Sequence, residues 1–291
     1  MASRTHKAED TIKYWHEPVL GGIDLLSAHC VTHRFSRHAH EEFVLAVFER
    51  GAEQFEAEGR CIIAAEGSIL LIPPGVAHTG QSATPGGWSY RAFYPRLEML
   101  QGIAEDSHSS RALLSAMPLQ LIQNRPLFNH LRQAHQHLSA QEAGLDDAVT
   151  LVNALSDVLA QALSSSSPNR PRNANRTVAI AKDYIQSHYA EPIDGGEIAS
   201  VVGLSLPHLM RTFSARTGVP INVYLTSVRL QHARRLLLAG QSAAQAALEV
   251  GFVDQSHLIR RFREAFGVTP GQYLRESRRN GSSSTAKQWC D

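Results

Sequence analysis

Residues 197–213 read EIASVVGLSLPHLMRTF and residues 245–262 read QAALEVGFVDQSHLIRRF. The two stretches share one grammar. In each, an alanine (Ala199, Ala247) stands four residues before a glycine (Gly203, Gly251), and an apolar residue (Leu204, Phe252) follows that glycine. The small residue lets two helices approach, the glycine takes the positive φ of a tight turn, and the apolar residue fills the corner. Ser205 and Asp254 stand where a side-chain oxygen can cap the next helix. Leu209 with Phe213, and Leu258 with Phe262, are four residues apart, share a helical face and are assigned to packing. The reading is a helix, a turn and a second helix, occurring twice.

Working outward, the same signals predict helices at 177–188, 195–202, 206–217, 221–239, 243–250, 255–266 and 270–278, with Gly203, Gly218, Gly240 and Gly251 ending four of them. Residues 176–291 carry 14 basic and 9 acidic residues, whereas residues 1–163 carry 12 basic and 18 acidic ones, inside a chain whose net charge is only +1. Nucleic acid is therefore a candidate partner for the basic half. After packing is assigned, His208, Met210 and Arg211 remain outward on one second helix, and Gln255, Ser256, His257, Arg260 and Arg261 on the other. Arginine can bond guanine and glutamine adenine in the major groove. For any one residue a solvated face is an equal reading, but two such faces on a basic domain point to double-stranded DNA.

Ala247, Gly251-Phe252, Asp254-Gln255-Ser256-His257-Leu258, Arg260, Phe262, Gly267, Thr269-Pro270 and Tyr273, with Arg229-Leu230, Ala233-Arg234 and Leu236-Leu237 upstream, resemble the signature of the AraC/XylS family of transcriptional regulators. The resemblance covers about residues 177–277. It implies an all-α domain of seven helices, residues 176–279, in which 221–239 spaces two units for successive major grooves of promoter DNA. It carries base-facing roles onto Pro207, Met210 and Arg211, and onto Gln255, Ser256, His257 and Arg260. Pro207 and Met210 depart from the polar residues often found there, so the first unit should lean on Arg211. Ala243 to Ala247 stand where isoleucines are usual, so that helix is expected to pack less tightly.

Residues 164–175, SSSSPNRPRNAN, cannot build a core and mark a flexible linker; residues 280–291 are expected to be a disordered tail. Upstream, Gly51, Gly59 and Gly67 recur every eight residues between apolar segments, as in an antiparallel sandwich or barrel. Residues 1–110 are thus expected to form an effector-binding barrel. Residues 111–163 change to helical spacing, with Leu127, Leu131 and Leu138, then Leu151, Leu155, Val158 and Leu159, on common faces. These helices are expected to pack on the barrel or on a second subunit, making a homodimer. The fold class is α+β, a cupin-like β-barrel with a helical extension followed by the all-α domain.

His38 and His40, followed by Gly67, Pro73, Gly75 and His78, resemble the two halves of the cupin motif. Metal-binding cupins add a carboxylate, which would fall on Val44 or Leu45; Glu41 and Glu42 would need another register. The expectation is a metal-free small-molecule pocket, without cofactor, using His38, His40, His78, Trp88, Tyr90 and Arg91. Trp88 and Tyr90 read equally as core, and Arg91 reads either as a carboxylate clamp or as a surface residue paired with glutamate. Cys30, Cys61 and Cys290 form no C-x-x-C motif, and neither a signal peptide nor a membrane span is legible, so a cytoplasmic location is expected. The functional expectation is a ligand-responsive regulator, with RNA polymerase a candidate further partner. The alternative is a metal-dependent cupin enzyme carrying a DNA-binding domain.

Overall fold

The computed structural model describes residues 9–104, 114, 117–139, 144–164 and 176–281. The expected linker beyond Ser164 and the tail beyond Gly281 lie outside the described residues. The amino-terminal strands are β1 (Thr11–Glu17), β2 (Ile23–Cys30), β3 (Phe35–His38), β4 (Val44–Ala57), β5 (Arg60–Ala65), β6 (Ile69–Ile72), β7 (His78–Ser82), β8 (Trp88–Tyr94) and β9 (Gln120–Ile122). Every pairing is antiparallel. The main path runs β1-β2-β8-β4-β6-β9, and β3, β5 and β7 attach off it. The long β4 organises the domain: Val44–Val47 pair with β6, while Ala52–Ala57 pair with β5.

The regular glycine spacing hides a difference in role. Gly59 and Gly67 occupy turns, but Gly51 lies inside β4, beside the point between Phe48 and Arg50 where pairing with β8 shifts. A β-carbon at Gly51 would meet the Gly87 carbonyl oxygen at 2.2 Å, so the close approach as well as a φ of 66° requires glycine. The irregularity exchanges the inward parity of the strand: Val44, Ala46 and Phe48 face one core before it, Phe55 and Ala57 after it.

Both faces of the sheet are covered. Helices α1 (Leu97–Ile103), α2 (Arg125–Leu138) and α3 (Leu145–Ser164) cover one face, where Leu131, Leu138, Leu151 and Leu155 join Leu45, Val47 and Phe93 in a single core. The leucines that motivated the dimer expectation are thus taken up by the chain's own barrel, because the sheet's outer face is as apolar as its inner one.

The carboxy-terminal helices are α4 (Arg176–His188), α5 (Gly195–Val201), α6 (Leu206–Thr217), α7 (Ile221–Leu238), α8 (Ala243–Glu249), α9 (Gln255–Phe266) and α10 (Pro270–Gly281). These seven match the predicted segments closely. Helix α7 joins two cores of different membership. The first unit, α5 with α6, has its own cluster around Ile198, Leu209, Phe213 and Val228. The second, α8 with α9, shares a continuous cluster with the barrel interior, in which Phe262, Phe266 and Tyr273 join Tyr14, Leu26 and Tyr94. Ala246 and Ala247 are fully buried there. The looser packing expected of that helix does not hold at these positions, because the short side chains seat it close to its neighbours.

Candidate nucleic-acid interface and effector cavity

The two helix-turn-helix units repeat one hydrogen-bond pattern. The Leu204 amide donates to the Ala199 carbonyl at 2.9 Å, and the Phe252 amide to the Ala247 carbonyl at 2.8 Å. Gly203 and Gly251 have φ of 70° and 84°. Each turn therefore satisfies the last carbonyls of the first helix by a bond that needs a left-handed glycine. Asp254 caps α9, accepting from the His257 amide at 2.7 Å. Ser205 occupies the same place on α6, but its side chain makes no such bond; Pro207 at the second helical position removes one of the amides it would serve.

Leu209, Phe213, Leu258 and Phe262 are wholly buried, as packing residues should be. Pro207, His208, Met210 and Arg211 on α6 are exposed, as are Gln255, Ser256 and Arg260 on α9. His257 and Arg261 are half-buried. The His257 ring meets the Phe252 edge, and Arg261 pairs with Glu264 at 2.9 Å. Burial and the adjacent Arg261 and Arg260 lower the His257 pKa.

The cupin-like histidines converge inside the barrel. His38 comes from β3, His78 from β7 opposite it, and His40 from the loop that follows β3. Ring centroids lie 4.4 Å apart for His38 and His78, and 4.8 Å for His38 and His40. Burial holds the His38 pKa below its ordinary value and the His78 pKa down to about 3. Burial and the two neighbouring rings hold the His40 pKa well below its ordinary value. The cavity beside them is about 40 Å³ and is otherwise lined by Val44, Glu53, Tyr90, Tyr94 and, from α9, Ala265. Burial pushes the Glu53 carboxyl up to about 8.

The other sequence candidates divide around this cavity. Trp88 is completely buried behind Tyr90, their rings stacked at 6.3 Å. Arg91 points to the opposite face, because neighbours along a strand alternate. It pairs with Glu49 at 2.9 Å and donates to His135 Nδ1 at 3.3 Å. There it borders an outer cleft of about 480 Å³ with Lys13, His29 and Arg279. A clamp at Arg91 would therefore serve that cleft and not the barrel. Glu41 and Glu42 do not enter the barrel either: Glu41 accepts from Gln186 at 3.3 Å, and Glu42 accepts from Gln231 at 3.1 Å.

Sequence reasoning missed the joint between the two halves. Arg234 of α7 is buried and pairs with Asp24 of β2 at 2.9 Å and with Glu42. Arg234 also bonds the Tyr14 hydroxyl. Tyr273 of α10 donates to Asp24 at 2.9 Å, and Tyr14 stacks on Phe266 at 5.0 Å. Burial alone would raise the Asp24 pKa, but Arg234, His16 and Tyr273 outweigh it and hold it below the ordinary value. The carboxylates in turn hold the Arg234 pKa well above its ordinary range. A second gap of about 20 Å³ brings His38 and His40 to Glu42, Gln231 and Arg234, so the histidine cluster adjoins this latch.

A β-barrel with an enclosed polar cluster, latched to paired helix-turn-helix units with exposed polar faces, defines a ligand-responsive DNA-binding regulator. The AraC-like ligand binding domain matches residues 20–159, and a helix-turn-helix domain matches residues 198–276. The chain belongs to the AraC family of transcriptional regulators. It is 22% identical over 233 residues to the HTH-type transcriptional regulator YbfI of Bacillus subtilis, covering 78% of this chain and 82% of that one. It is 31% identical over 144 residues to the transcriptional activator NphR of a Rhodococcus species, covering 49% of this chain and 43% of NphR. In fold it is similar to ToxT of Vibrio cholerae, solved with an unsaturated fatty acid bound, at a TM-score of 0.56 and 12% identity, covering 91% of this chain and 94% of ToxT. These matches are regulators, and the chain is a regulator and not the enzyme of the alternative reading.

Proposed function

We propose that the barrel senses a small molecule through His38, His40, His78 and Tyr90, and that the Arg234 latch carries its occupancy to the second DNA-reading unit. The observation that carries this is Ala265: it belongs to the recognition helix α9 and lines the barrel cavity. Organic ligands usually need about 300–1,000 Å³, far more than the cavity's 40 Å³. Such an effector fits only as Ala265 and Phe266 move outward, so its binding favours an unlatched second unit. A ligand shifts this balance only by its differential affinity for the two states.

On the DNA, Arg211 with Pro207, His208 and Met210 reads one groove segment, and Arg260 with Gln255, Ser256, His257 and Arg261 reads another. The regulator acts at promoters in the cytoplasm, as a homodimer able to contact RNA polymerase. Footprinting of genomic fragments, with and without a library of small metabolites, tests the reading. The expected result is selective protection that one metabolite class alters and that Arg234→Met makes less dependent on that metabolite. Sequence-indifferent binding, or selective binding unaltered by any metabolite, would count against it.

A further inference from the structure

His38, His40 and His78 bring ring nitrogens within 4.8 Å of one another. His38 Nδ1 lies 2.6 Å from the Ser36 carbonyl oxygen, and His78 Nδ1 lies 3.0 Å from the Val76 carbonyl oxygen. A carbonyl oxygen only accepts, so both Nδ1 atoms carry the proton. In neutral rings both Nε2 atoms are then bare acceptors. His40 Nε2 lies 3.0 Å from His38 Nε2 and can donate to only one of them.

We propose that His38, His40 and His78 bind one divalent transition-metal ion of the zinc class. Each of the three offers a ring nitrogen within 4.8 Å of the others. Metal–imidazole bonds of about 2.0–2.1 Å separate neighbouring ligands by about 3–4 Å, so small ring movements complete the set. The backbone carbonyls behind His38 and His78 are the outer partners that fix tautomer and orientation in histidine metal sites. An all-imidazole set favours zinc, copper, nickel or iron over magnesium and calcium.

Size points the same way. The cavity of about 40 Å³ is too small for an ordinary organic ligand but holds an ion with a water. Val44 supplies no ligand, yet β4 returns a carboxylate to the same wall at Glu53, beyond the strand's irregularity. His40 also meets Tyr94 and Phe266, at ring centroids of 5.2 and 6.4 Å, so the ion would sit at the joint between barrel and recognition helix. The regulatory meaning of the site rests on the sensor reading above. Metal binding does not, and binding alone is what the test measures.

Full-length protein stripped by chelator is titrated with cobalt(II) and then with zinc(II). The expected result is one ion per chain, visible cobalt absorption displaced by zinc, and loss of both in His38→Gln and His78→Gln. His188→Gln, outside the cluster, should bind as the parent does. X-ray absorption of the zinc-loaded parent should count three imidazole nitrogens, which decides the matter without variants should they fail to fold. Binding well below one ion per chain at micromolar free metal, stoichiometric binding that survives both substitutions, or a shell with fewer than two imidazoles would overturn the site. Promoter binding indifferent to effectors would defeat the sensor reading while leaving these metal results unchanged.

Discussion

At the scale of single residues, Arg234 is the cation buried at the joint between barrel and helices. It lies among two carboxylates and two tyrosine hydroxyls, so removing it strands Asp24 and Glu42 away from water. Breaking one partner of a buried pair costs about 3–5 kcal/mol, because it leaves an uncompensated buried charge. Arg234→Ala and Arg234→Met should therefore both lower the urea midpoint strongly, since either leaves Asp24 and Glu42 buried without their cation; a strong loss in Arg234→Ala alone would show that packing, not charge, dominates. The same network sets an acid limit. Asp24 has a lowered folded-state pKa, so its contribution is complete above the ordinary carboxylate range and is lost as pH falls through the folded value. His135 acts in a neighbouring window. Burial and the Arg91 charge hold its pKa down to about 3. The unfolded chain therefore takes up a proton near pH 6.5 that the fold refuses, and stability declines below that pH. His135→Gln should flatten the decline between about pH 6 and 4, as followed by thermal melting; an unchanged slope would exonerate it.

At the scale of elements, the turn glycines and the recognition helices make separable predictions. At Gly251 a β-carbon would lie 2.7 Å from the Ala190 carbonyl oxygen and 2.9 Å from the Arg229 guanidinium, at a φ of 84°. Gly203 has φ of 70° and open space around it. Gly251→Ala should thus destabilise more than Gly203→Ala, which chemical denaturation of the two variants will compare. On the exposed faces, Arg211→Ala and Arg260→Ala should each weaken specific DNA binding by about 1–3 kcal/mol and relax preference at different base pairs. A binding-site selection unchanged in both variants would mean that the wrong faces have been named. These elements were legible in the sequence because their determinants are local: a glycine, a cap and an apolar pair lie within eleven positions of each other. Glu53 was hidden for the opposite reason. The irregularity near Gly51 reverses the parity of β4, so counting alternate residues from Val44 puts Glu53 on the wrong face. The histidines were legible as a motif, but the division of Trp88 and Arg91 from them needed the strand's actual facing.

At the scale of the whole molecule, the joint was illegible because its bonds link residues as far apart as 192 positions for Arg234 with Glu42, and 249 for Tyr273 with Asp24. No periodicity reports such pairings. The two DNA-reading units are also held unequally. The first meets the barrel through Ala77 and a 2.9 Å bond from Arg37 to the Gly218 carbonyl. The second shares the barrel's own core. Promoter binding should fall steeply with salt, since phosphate contacts release counterions. An effector that frees the second unit should steepen the slope of log affinity against log salt, because more phosphates are then engaged. Identical slopes with and without effector would place the regulation elsewhere than in DNA engagement.

The shared core has a bearing on how such regulators can be cut and recombined. A fragment beginning near Arg176 keeps every helix of the reader, yet it loses the Tyr14, Leu26 and Tyr94 surfaces against which Phe266 and Tyr273 rest. Such a fragment begins life with an oily wound on the face that the barrel had dressed. Grafting its reader onto a foreign sensor is therefore less like joining beads on a string than like transplanting half of a healed joint, and the donor's Tyr14, Asp24 and Glu42 need to travel with it.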